Sequence, residues 1–229
     1  MSIVGDVADT TATFIINKHF AKLPHLDIPN SSYIPSSTHA PTLVKTLVPD
    51  KAAIDYMIGI ATSITDTHPD YPALLLGMNV LAHWGGFTGR LMQTTREKEG
   101  LTYVAYGRLA GFAVADGYIS IWSNFAPSTF EKGRASIKRQ IKLILEKGIA
   151  TEEFKKHRAQ FEASSRVACA DSMSLARAGH DCVRHGKPIS HLDTFPQRIL
   201  RLTKKQVESA LKKYLLLNQM TESMAGTDI

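Results

Sequence analysis

The residues best suited to chemistry in this chain are Arg96 and Tyr103, which bracket Gly100 in the stretch GGFTGRLMQTTREKEGLTY, residues 85–103. A guanidinium offers forked donors and a phenol offers a rigid donor on a flat apolar ring, a pair that suits gripping a backbone carbonyl of an extended peptide. Charge-assisted hydrogen bonds of this kind are worth about 1.5–3 kcal/mol each, enough to position a substrate but not to break a bond. The spacing also predicts how the two converge. Leu91, Met92 and Thr95 give a helix a narrow inner face, Arg96 falls in its final turn, and Gly100 takes the left-handed conformation that stops it. A strand then starts inward at Leu101, which puts Tyr103 on the same face. A plainer arrangement fits the spacing too: Arg96 satisfies the last helical carbonyls and Tyr103 is a half-buried strand residue.

Other chemistry finds no support. Nine histidines invite a metal reading, but the H-E-x-x-H signature and its inverse H-x-x-E-H, which set two imidazoles and a glutamate base on one helix, do not occur. His180, Cys182 and His185 lack an acid to work a bound water, and Gly186 ends the helix there, so they read as helix-terminal residues. His83, before Trp84, reads as a packed or surface residue, and His157, after two lysines, as part of an exposed face. No G-x-S-x-G elbow and no G-x-x-x-x-G-K phosphate loop is present. No catalytic residue and no metal ligand is therefore assigned within this chain.

The elements that must position the pair follow from periodicity. MSIVGDV reads as a short apolar strand feeding a helix in which Ala12, Ile15, Ile16, Phe20 and Leu23 share a face. Residues 24–41, rich in Pro, Ser, Thr and His, read as an exposed connector. TLVKTLV and AAIDYMIGIATSI read as strands joined at Pro49-Asp50. HPDYPALLLGMNVLAHW reads as a helix with Asp70 as its cap and Pro72 in the first turn. LTYVAYGRLAGFA and DGYISIWSNFA alternate as an antiparallel hairpin. From Pro127 onward the pattern is helical, with starts at Thr151 and Thr203 and a break near Pro196, before QMTESMAG closes as a strand. The expected fold is α+β: a mixed, mostly antiparallel sheet with helices packed on one face, in a single domain over residues 1–229.

Composition agrees. With 44% apolar residues the chain can bury about 70–75% of its unfolded surface. Cys169 and Cys182 form no C-x-x-C pair and read as reduced thiols. No apolar run reaches the roughly 18 residues of a membrane span. The formal charge of +6 raises nucleic-acid binding, but Lys132, Arg134, Lys138, Arg139 and Lys142 fall on the solvated side of an amphipathic helix, and no nucleic-acid motif accompanies them. No nucleic-acid partner is expected.

The glycine pair Gly85-Gly86, then Gly89-Arg90-Leu91, then Arg96-Glu97-Lys98-Glu99-Gly100-Leu101-Thr102-Tyr103 resembles the second, zinc-free domain of the insulinase and pitrilysin family of zinc metallopeptidases, which includes mitochondrial processing peptidase. The resemblance extends to IVGDV near the start, Phe20-Ala21-Lys22-Leu23-Pro24, EKGIATEEFKKHRAQ and LTKKQVESALKKYL, and so covers nearly the whole chain. Ala82-His83-Trp84 and Gly89 depart from the family pattern, which favours a small loop and a serine there.

The resemblance implies a processing-peptidase-like half domain in which Arg96 and Tyr103 hold a peptide substrate over a zinc ion bound by another domain or subunit. The implied partners are that zinc-bearing homologous half and the peptide, and the chain alone is expected to be inactive. A catalytically inactive scaffold or recognition module of the same fold is the alternative. The compartment stays open: cytoplasmic if Met1 is the native start, periplasmic if an upstream half carries a signal peptide.

Overall fold

A computed structural model of the protein describes residues 2–24, 40–112 and 116–227. In chain order its elements are α1 (Asp9–Phe20), β1 (Thr42–Leu47), β2 (Ile54–Ala61), α2 (Tyr71–Ala82), a π-helical segment (Met92–Lys98), β3 (Ala105–Ala110), β4 (Tyr118–Phe125), α3 (Phe130–Lys147), α4 (Thr151–Val167), α5 (Ser172–Arg184), α6 (His191–Leu200), α7 (Lys204–Tyr214) and β5 (Thr221–Gly226). The strands form one sheet in the order β1-β5-β2-β4-β3, with β1 and β5 parallel and every other pair antiparallel. The fold is α+β with a mixed, mostly antiparallel sheet, as the sequence predicts.

Alternation in β2 sets the layers. Ile54, Tyr56, Ile58 and Ile60 are enclosed, whereas Met57 on the opposite face is 44% exposed. Helices cover the inner face: α2 packs on β3 and α7, while Ile137, Ile141 and Ile144 of α3 and Val207 and Leu211 of α7 join the same core. Sheet below and α7 above bury Leu74, Leu76, Met78, Val80 and Leu81 of α2 almost completely. Each such side chain contributes about 1.5–3 kcal/mol.

Several expectations are corrected. The strand expected over MSIVGDV is absent: residues 2–7 join no ladder, and Ile3 and Val4 are exposed. A strand needs an edge to pair with, and no described edge reaches this segment. The helix after it forms, but none of its residues is buried and Phe14 is 64% exposed. Periodicity predicts a helix and its apolar face without supplying a partner for that face. The connector predicted at 24–41 lies, except for residues 24, 40 and 41, outside the described residues. β1 and β2 form as consecutive strands, as expected, and in the sheet β5 lies between them.

Asp70 precedes α2 without capping it. Its carboxylate accepts hydrogen bonds from Lys213 Nζ at 2.7 Å and Tyr214 Oη at 2.8 Å, tying α7 to the start of α2. α6 is not broken at Pro196 but runs through it; the amide missing there is outweighed by packing of Phe195 between Tyr71 and Phe161 and by the fully buried Ile199. The basic face of α3 is only partly solvated. Arg134 Nε and Lys138 Nζ donate to Glu222 at 2.7 and 2.8 Å, and Tyr56 Oη donates to the same carboxylate at 2.6 Å. Glu222 lies on the inner face of β5, so burial alone would push its carboxyl up. The three donors outweigh that and hold it at about 2.

Candidate functional site

The segment between α2 and β3 presents Arg96 and Tyr103. Its helix ends in widened turns: Glu99 N donates to Thr94 O, Gly100 N to Arg96 O and Leu101 N to Thr95 O, each at 3.0 Å. Gly100 at φ +63° makes this closure possible without the steric cost a side chain would meet. The carbonyls of Thr94, Thr95 and Arg96 are thus satisfied by backbone amides and do not need the Arg96 guanidinium as a cap.

The guanidinium stacks instead. Its carbon lies 4.7 Å from the Tyr103 ring centroid and 4.8 Å from that of Phe87. Nε is 3.4 Å from Glu97 Oε1. Such cation–π contacts hold the plane of the group in place and leave its edge donors usable. Tyr103 is 71% exposed, and among the described residues its hydroxyl has no hydrogen-bond partner. The structure therefore brings the two residues together, though not on a strand face.

The strand expected from Leu101 begins at Ala105. Over Leu101–Val104 the link to β4 is made by side chains: Thr102 Oγ1 donates to Asn124 O at 2.5 Å, and Ser123 Oγ donates to Val104 O at 2.7 Å. Freed from a ladder, Tyr103 turns outward beside a shallow concavity of about 310 Å³ lined by Gly100, Leu101, Thr102, Asn124 and Phe125. Phe87 was missed by sequence reasoning. Its only signal was an aromatic residue inside a glycine-rich loop, where nothing in the core calls for one.

The loop is anchored on its other side. Arg90 makes a bidentate pair with Glu153, Nε to Oε1 at 3.0 Å and Nη2 to Oε2 at 2.6 Å, and Nη2 also reaches Gly148 O at 3.3 Å. A Cβ on Gly89 would lie 2.5 Å from the His83 amide nitrogen, so the loop in this chain requires glycine where the family favours serine.

His83, the other departure, packs edge-to-face on His157 with ring centroids 6.4 Å apart, and its Nδ1 lies 3.3 Å from Thr88 Oγ1. His157, expected on an exposed face, is 4% exposed. Lys155 and Lys156 precede it on solvent-facing positions of α4 while the ring turns under the loop. Burial first, and the neighbouring His83 second, push its imidazole down to about 4, so it is neutral at physiological pH. Burial likewise lowers His83.

Among the described residues no group of three or more His, Cys, Asp or Glu side chains could hold a metal ion, and the donors around Arg96 and Tyr103 do not fit one. Cys169 and Cys182 are free thiols. No helix among the described residues is long and apolar enough to cross a membrane.

A mixed five-stranded sheet with a helical layer on one face makes the protein an α+β domain, and a glycine-rich loop carries the stacked Arg96 and Tyr103. The chain belongs to the peptidase M16 inactive-domain family, whose family model matches residues 1–161. It is 25% identical over 177 residues to the non-peptidase homolog YmxG of Helicobacter pylori, covering 77% of this chain and 40% of that protein. It is 26% identical over 141 residues to the uncharacterized zinc protease SCO5738 of Streptomyces coelicolor, covering 61% and 30%. The crystal structure of a peptidase M16 inactive domain from Pseudomonas fluorescens superposes with a TM-score of 0.83 at 25% identity, covering 98% of this chain and 53% of that one. The chain thus spans less than half of the curated relatives it matches and about half of the crystallised one.

Proposed function

We propose that this chain is the substrate-gripping half of a zinc-dependent metalloendopeptidase, holding an extended peptide through Arg96 and Tyr103 over a zinc ion carried by a homologous domain or subunit. The observation that carries the reading is the stacked pair itself: a guanidinium fixed between two rings beside an exposed phenol. Two preorganised donors on one rim suit successive carbonyls of an extended chain better than they suit internal packing. The zinc, on the other half, would polarise the water that attacks the peptide bond. This chain's own contribution is to fix the peptide's register and orientation. The zinc-protease name of the Streptomyces relative supports the setting.

The test is cleavage of a peptide by the assembled enzyme. Arg96→Ala should lower kcat/KM by about 10- to 100-fold, the worth of one charge-assisted hydrogen bond, with the melting temperature held. Wild-type turnover by both Arg96→Ala and Tyr103→Phe would remove the assigned role. A scaffold reading is favoured by one observation, the non-peptidase description of the Helicobacter relative. It predicts that the chain binds a homologous half that lacks zinc and that no peptide is cut by the pair.

A further inference from the structure

The outer face of the sheet carries a second aromatic and cationic group near the first. Met57, Trp122 and Tyr106 stand side by side across β2, β4 and β3, and the next outward row is Gly59, Ser120 and Arg108. Met57 in the first row and Arg108 in the second are exposed. Trp84, two residues after α2, leans over this face, with its ring 5.8 Å from Tyr106 and the Arg108 guanidinium 4.7 Å from its centroid. A Cβ added at Gly59, two strands from Arg108 in the same row, would meet nothing within 4 Å, so the row is open at its β2 end.

Arg108 differs from several other arginines of the chain. Arg90, Arg134 and Arg139 each bind a carboxylate, Glu153, Glu222 and Glu99 respectively. Among the described residues Arg108 has no carboxylate partner; it is exposed and held only by its stack on Trp84. The stack fixes the guanidinium plane while its forked edge stays available, and the neighbouring Trp122 and Tyr106 rings displace water from one side, which strengthens any ion pair formed there.

The two stacks share one loop. Trp84 of the second and Phe87 of the first are three residues apart, so their Cα atoms are separated by at most about 10 Å, the span of three residues of extended peptide. Resting on the peptide-gripping reading of Arg96 and Tyr103, we propose that Trp84 and Arg108 form a second subsite on the same rim, which takes an acidic side chain of the substrate about three residues from the one that Arg96 and Tyr103 hold. Charge complementarity selects the occupant: the Arg108 guanidinium, without a carboxylate partner among the described residues and stacked on Trp84, favours an acidic peptide and disfavours a basic one.

Fluorescence anisotropy with two labelled dodecapeptides, alike except for an Asp-Asp or a Lys-Lys pair, tests this on the chain as it stands. The acidic peptide should bind about tenfold or more tighter than the basic one. Arg108→Glu should abolish or invert that preference, and Trp84→Ala should weaken it. Lys147→Glu, the same charge change at the exposed end of α3, should leave it intact, and Arg96→Ala should weaken both peptides alike. An unchanged preference in Arg108→Glu, or equal binding of the two peptides, overturns the subsite while leaving the grip standing. Binding of neither peptide overturns both. Binding of oligothymidylate tighter than the acidic peptide, lost in Arg108→Glu, would reassign the surface to single-stranded nucleic acid.

Discussion

The Arg96 guanidinium lies 4.7 Å above the Tyr103 ring, so the two residues form one unit in which the tyrosine both presents a hydroxyl and orients the arginine. Tyr103→Phe keeps the stack and removes only the hydroxyl; Tyr103→Ala removes both. Peptide affinity should fall further in Tyr103→Ala than in Tyr103→Phe. Phe87→Ala, which strips the second ring, should cost about 0.5–1 kcal/mol of binding. Equal affinities for Tyr103→Phe and Tyr103→Ala, measured by anisotropy, would show that the stack does not position Arg96.

The Glu222 network should govern stability in acid. Its folded carboxyl sits at about 2 against an ordinary 4.5, so its contribution is present above pH 4.5 and is lost as the pH falls from 4.5 toward 2. The loss is on the order of 2–3 kcal/mol. Glu222→Ala leaves Arg134 and the buried Tyr56 hydroxyl without their acceptor and should destabilise at neutral pH by about 3 kcal/mol or more. Urea titrations at pH 7, 4.5 and 2.5 measure both; an acid limb that persists unchanged in the variant would place its origin elsewhere.

His157 sets an earlier step. Its folded pKa of about 4 lies below the ordinary 6.5, so the unfolded chain takes up a proton first and stability falls as the pH drops from 6.5 to 4, on the order of 2–3 kcal/mol in all. The neighbouring His83 and the positive charge of Lys156 add to this lowering, and the Glu153 carboxylate opposes it. His157→Gln should flatten the melting temperature between pH 6.5 and 4. A slope matching the wild type would mean that His157 is not the group being protonated.

Gly89→Ser restores the residue the family favours yet should destabilise this chain. The new Cβ would approach the His83 amide nitrogen to 2.5 Å, and relieving that contact moves the loop between Trp84 and Arg90, at a cost of about 1–3 kcal/mol. Thermal melts read the cost, and anisotropy reads any accompanying loss of peptide binding. A melting temperature equal to the wild type would show that the loop accommodates the side chain.

Local rules carried much of this protein in the sequence itself. The strand spacing of Ile54, Tyr56, Ile58 and Ile60, the cap at Thr203, the stop at Gly100 and the convergence of Arg96 and Tyr103 depend on residues within a few positions of one another, where period and turn chemistry act directly. What the tertiary structure decided is where those pieces meet distant ones. Thr102 takes hold of Asn124 across the hairpin and delays β3, which turns Tyr103 to solvent. Glu222 draws in Arg134 and Lys138 from a helix that reads as wetted, β5 slides between two strands that are consecutive in the chain, and His157 turns under a loop contributed from far upstream. Each of these is a long-range partnership whose strength comes from burial and desolvation, quantities that do not exist until the layers have closed.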